Sequence, residues 1–147
     1  CRISAEEFME GGLTLRDTQE IASLLAENGV DIISVSAGVA ASRPQRDRFM
    51  KEGRFWELAG AIKKAVPQTP VIAVGKIMDL ATAERVMEDH GVELIAICRA
   101  LIADPELITK SLEGRFDEIV RCIECGECTT SLIGDEMAMR CSANPNL

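Results

Sequence analysis

A chain of 147 residues, 47% of them apolar, has room for one ordinary hydrophobic core and is not a disordered segment. A net charge of −8 leaves no basic stripe to displace counterions from a phosphate backbone, which excludes nucleic acid as a partner and makes the acidic surface a solvated one. No apolar run is long enough to span a bilayer and no secretory leader pattern opens the chain, so the expectation is a cytoplasmic protein that touches no membrane.

The first four residues, "CRIS", read as the end of a strand, and the lack of an initiator Met fits a chain cut from something longer. A helix follows Thr14, with Asp17 placed for a capping box, an apolar face of Ile21, Ala22, Leu24 and Leu25, and Gly29 as its stop. "VDIISVSAG" (30–38) is a β-branched, nearly continuous apolar run, as are "TPVIAVG" (69–75) and "VELIAIC" (92–98). Runs of this kind suit parallel strands buried on both faces. Between them, "FWELAGAIKKAV" sets Phe55, Ala59, Ile62 and Val66 on one helical stripe, and "LATAERVMEDHG" makes a helix from after Asp79 to Gly91. "ADPELITKSLEG" predicts a last helix with Asp104 as N-cap, Pro105 at the first helical position and Gly114 as the stop.

Strand–helix repetition with short loops means an α/β fold with a parallel sheet. A doubly wound sheet and a (β/α)₈ barrel both fit the periodicity. Four strands are half of an eight-stranded barrel, which needs about 250 residues. The long connection 39–53 follows the C-terminal end of a strand, the face where barrels carry their chemistry. The expected organisation is half of a barrel over residues 1–119, which the family resemblance given below implies to be the C-terminal half, about strands 5–8, and a cysteine-rich appendix over 120–147.

Cys122, Cys125, Cys128 and Cys141 have the spacing C-x2-C-x2-C-x12-C. Zinc ribbons use two separated CxxC knuckles, each gripping one side of a tetrahedron. Three thiols at three-residue steps instead curl one loop around a larger object, and a remote fourth closes it, as ferredoxin-type runs do around a [4Fe–4S] cluster. Zinc and disulfides are the weaker alternatives. Cys98 stands apart and reads as a small core residue. "VGKI" (74–77) and "ICRAL" (97–101) end consecutive strands, and loops after the last two strands of a barrel commonly bind phosphate. Gly75 would admit a close backbone approach there, and Arg99 would add a bidentate positive fork.

Taken together, "CRISAEEFMEGGLT", "VDIISVSAG", "PVIAVGKI", "AICRALIADPEL", "GRFDEIVRCIECGEC" and "CSANP" resemble, in order and over essentially the whole chain, the iron–sulfur branch of the old yellow enzyme family. That branch of flavin oxidoreductases holds trimethylamine dehydrogenase-like and 2,4-dienoyl-CoA reductase-like members. The cysteine spacing is closer to the amine dehydrogenase side. The resemblance implies an FMN-binding barrel followed by a [4Fe–4S] segment, with a region for FAD or NAD(P)H outside this chain. It matches Arg2 to the arginine at the flavin N1/O2 edge, Gly75 and Lys76 to one phosphate turn, and Cys98 and Arg99 to the other. The family usually has Gly or Ala where Cys98 stands. The substrate-anchoring pair would lie in the strands before residue 1. The sole histidine, His90, falls at the opposite end of its strand and reads as structural.

The resemblance thus implies an oxidoreductase passing electrons between flavin and cluster, acting on a small amine or an enone. The partner would be the missing N-terminal half barrel or a self-associated copy, and the isolated piece should be inactive. A separately encoded cluster-carrying subunit and a zinc-stapled structural module are the alternatives.

Overall fold

The computed structural model describes residues 1–39, 42, 53–133 and 138–147. The elements run β1 (Arg2–Ser4), α1 (Leu15–Glu27), β2 (Ile33–Ser36), α2 (Arg54–Ala65), β3 (Val71–Val74), α3 (Leu80–His90), β4 (Leu94–Ala96), α4 (Arg99–Ala103), α5 (Leu107–Leu112), a 3₁₀ turn (Phe116–Glu118) and α6 (Glu127–Ile133). The expected functional connection 39–53 lies almost wholly outside the described residues. Among those residues, no helix is long and apolar enough to cross a membrane. The chain divides into two compact units, Cys1–Lys76 with Glu84–Ala96, and Ile77–Ala83 with Ile97–Leu147.

The first unit holds the sheet. Its four strands are all parallel and lie in the order β1-β2-β3-β4. A doubly wound sheet reverses its strand order at a switch point. This one does not, and its sequential order is that of a (β/α) barrel over half the strand complement. The two faces differ. Ile33, Val35, Val71 and Ala73 are buried, whereas their neighbours Ser34, Ser36, Ile72 and Val74 are only half-buried. α2 packs against β2 and β3, and also against α1. The expectation of strands buried on both faces is corrected here: in β2 and β3 buried and half-buried positions alternate, as side chains on a strand do when one face is covered more than the other.

Local chemistry accounts for the helix ends. Thr14 and Asp17 form a reciprocal capping box, in which the Thr14 N–H donates to Asp17 Oδ2 at 2.9 Å. Such caps contribute about 1 kcal/mol. On α1 the buried residues are Thr18 and Ala22, while Leu24 is 59% exposed, against the apolar face read from the sequence. Thr18 can be buried because its hydroxyl donates to the Ala5 carbonyl at 2.6 Å.

The N-terminal end of the sheet is stitched by charge. Glu93 accepts the Val71 N–H at 3.0 Å and pairs with Lys63, which also donates to the carbonyls of Pro67 and Thr69. Burial works against the Glu93 carboxylate, but Lys63 and the Val71 N–H outweigh it and hold its pKa below the ordinary 4.5. His90 ends α3 and packs on Gly60 of α2, where an added Cβ would come 3.0 Å from the His90 Cβ and 3.1 Å from its Nδ1.

In the second unit, the helix expected from Pro105 begins at Leu107. Asp104 is not its N-cap residue. It closes α4, a helix the sequence reading lacked, and its carboxylate is buried with Lys110 at 2.8 Å.

Candidate functional site

The turn after β3 is fixed from the side of α2. Gly75 has φ +109 and Lys76 follows with φ +50. A Cβ on Gly75 would lie 2.6 Å from Cδ2 and 3.0 Å from Cβ of Phe55. The glycine is thus required both by its backbone and by the Phe55 side chain, a physical reason apart from the ligand approach expected of it. The adjacent Trp56 donates its indole N–H to the Gly75 carbonyl at 2.6 Å. The turn is therefore held from the side of α2, and Lys76 is its next residue.

Arg2 opens β1, in register with Ser34, which pairs with Ile72. It is exposed and stands three residues below the level of Gly75, about 10 Å along the strand. β1 continues through Ile3 and Ser4 beyond it.

Past β4, Cys98 is the N-cap residue of α4 and is exposed. Its expected place in the core is corrected: β4 stops at Ala96, and the chain has left the sheet by Cys98. Arg99 begins α4 and lies 3.7 Å from Glu124 Oε2, inside the cysteine run. A part-exposed pair of this kind is worth about 0–1 kcal/mol, so the guanidinium remains able to engage a phosphate bidentately.

All six cysteines are free thiols, and the four of the C-terminal run are at least partly accessible. Glu124 at φ +54 and Gly126 at φ +82 bend the run sharply on either side of Cys125. That bend brings Cys125 Sγ to 3.5 Å from Ser142 Oγ, next to Cys141. The Ser142 hydroxyl, then the Glu127 N–H, hold the Cys125 thiol below its ordinary pKa of 9.0, which favours the thiolate a metal needs. Among the described residues, no three Cys, His, Asp or Glu side chains converge closely enough to hold a metal ion. The donor chemistry suits a thiolate-ligated cluster, and the segment doubles back as such a site requires.

Comparison with known proteins places these features in a family. The family model for NADH:flavin oxidoreductases and NADH oxidases matches residues 1–118. An NADH oxidase of Thermoanaerobacter brockii is 41% identical over 98% of this chain and 22% of its own length. A metal reductase of Desulforamulus reducens is 32% identical over 86% of this chain and 19% of its own. The solved structure of histamine dehydrogenase from Rhizobium sp. 4-9 matches 99% of this chain with a TM-score of 0.82 at 28% identity, over 21% of that chain. The chain thus spans about a fifth of the length of these relatives. With its sequential parallel sheet and its match over residues 1–118, the chain belongs to the NADH:flavin oxidoreductase / NADH oxidase family, the old yellow enzyme family.

Proposed function

We propose that this chain is part of an FMN- and [4Fe–4S]-dependent oxidoreductase of the cytoplasm that acts on a small amine or an enone. One observation carries the reading. Residues 1–118 match the flavin oxidoreductase family, and a four-thiol segment follows in the same chain, folded so that Cys125 meets the residue after Cys141. When bound, the flavin supplies two-electron chemistry and the cluster relays single electrons.

The chain's own residues have separable tasks in this reading. Gly75 and Lys76, with Cys98 and Arg99, would hold the flavin phosphate through backbone N–H groups and two cations. Arg2 would answer negative charge on the flavin ring. Cys122, Cys125, Cys128 and Cys141 would ligate the cluster. Substrate-anchoring groups and any FAD or NAD(P)H region would come from outside these residues, either from a preceding half barrel or from a second copy. The name of the NADH oxidase relative supports a nicotinamide electron source.

The test is metal and flavin analysis of the full-length protein, purified without oxygen. The expected result is about four iron and four sulfide per chain, with one FMN. Cys125→Ser should lower the iron content by more than half and leave the FMN content unchanged, since the thiol is no part of the flavin site. Stoichiometric zinc without iron would overturn the cluster, and protein without FMN would overturn the flavin assignment.

A further inference from the structure

Both ends of the cysteine segment are fastened to one corner of the second unit. Asp104 is 2% exposed, and its Oδ2 accepts the Val120 N–H at 2.9 Å. Lys110 Nζ donates to the same Oδ2 at 2.8 Å and to the Glu118 carbonyl at 3.1 Å. The Glu106 N–H donates to Oδ1 at 3.0 Å. At the far end, Asn144 is 6% exposed and donates Nδ2–H to the Ile102 carbonyl at 3.0 Å. Its Oδ1 accepts the Asn146 N–H at 3.0 Å. Residues 120 and 144 are thus held on residues 104 and 102, two apart at the C-terminal end of α4. Between them, Glu124 reaches Arg99, the first residue of the same helix.

The physical consequence concerns loop closure. Bringing together the ends of a loop this long costs conformational entropy whether or not a metal is present. Two buried polar groups with fixed partners meet that cost within the polypeptide, and both are expensive to strip of those partners. The helix onto which they fasten the segment also begins with the arginine assigned to the phosphate turn.

We infer that Asp104 and Asn144 are positioning residues: together they clasp the cysteine segment onto α4, so that the polypeptide, not the metal, sets where the four thiols stand relative to Arg99. The inference rests on the proposed function for the identity of the bound group. The clasp itself acts without one.

The experiment uses the full-length protein with its metal and after chelation, and reads amide hydrogen exchange in peptides covering 118–124 and 138–147. In the unaltered protein the Val120 amide should stay protected in both forms. Asn144→Ala should speed exchange of the 138–147 peptide about tenfold or more in the metal-free form. Asp104→Ala should do the same at Val120, and Asp104→Asn, which keeps an acceptor, should fall between. At full iron loading, Asn144→Ala should also change the line shape of the reduced cluster in electron paramagnetic resonance. Unaltered exchange in metal-free Asn144→Ala overturns the clasp. Faster exchange with an unaltered line shape overturns the positioning role. If Asp104→Ala does not fold, Asn144→Ala still decides, because it removes few hydrogen bonds at the end of a loop. If the protein carries zinc, the cluster reading fails while the exchange data still decide the clasp.

Discussion

Gly75→Ala is expected to destabilise the fold by several kcal/mol, although it adds only one methyl group. Two causes act at once. A non-glycine residue at φ +109 is strained by about 1–3 kcal/mol. Overpacking against Phe55 adds about 1–3 kcal/mol, because one of the opposing atoms, 3.0 Å away, is the Phe55 Cβ and cannot swing aside. Chemical denaturation of Gly75→Ala, Phe55→Ala and the double variant separates the two. Phe55→Ala removes the ring but leaves its Cβ, so the cycle should recover only part of the packing cost and none of the backbone cost. A cost below about 1 kcal/mol for Gly75→Ala would show that the turn relaxes freely, and its assignment as a rigid phosphate cradle would fall with it.

Lys110→Met should be as damaging near neutrality and nearly harmless in acid. It strips the charge partner from a buried carboxylate, which costs about 3–5 kcal/mol. The pH dependence follows from Asp104. The hydrogen bond from Lys110 holds its carboxyl below the ordinary 3.8, against the effect of burial, with the Val120 and Glu106 N–H groups adding to the depression. A carboxyl depressed on folding contributes stability that is present above its unfolded value and lost as pH falls through the folded one. In Lys110→Met the main cause of the depression is gone while burial remains, so Asp104 takes up its proton at higher pH and the uncompensated charge disappears. The gap between the two proteins should therefore be widest near pH 7 and close below 3.8. Denaturation midpoints across that range check it. An equal gap at both ends would mean that Asp104 is not charged in the folded protein.

The strands were legible because β-branched runs persist even where only one face is covered, but their ends were not. The apolar run 30–38 continues past both ends of Ile33–Ser36, since loop residues such as Ile32 and Ala37 are apolar without pairing in the sheet. The capping box was legible because its two members stand three residues apart. Asp104 was misread for a matching reason: "ADP" is a helix-start signal, whereas the partners that bury it, Lys110 and Val120, lie at distances no local rule scans. Asn144 and Ile102 are 42 residues apart. Helices α4 and α6, with 5 and 7 residues, complete too few turns to display a period. Of the candidate site, residue types and spacing could be read: four thiols, a Gly-Lys turn and an Arg after a strand. The level of Arg2 within the sheet, the exposure of Cys98 and the Glu124 partner of Arg99 are matters of register and tertiary contact.

Trp56 is the only tryptophan in these 147 residues, and its indole N–H is committed to the carbonyl of Gly75. The Arg85 guanidinium stands 5.9 Å over its ring. Indole emission responds to its hydrogen bond and to charge nearby, and an isoalloxazine ring is an efficient energy acceptor for it. The chain therefore has its own optical gauge at the turn assigned to phosphate. Occupancy there, and its time course, can be followed as quenching and spectral shift of a single native chromophore, with no label attached and no substrate turned over.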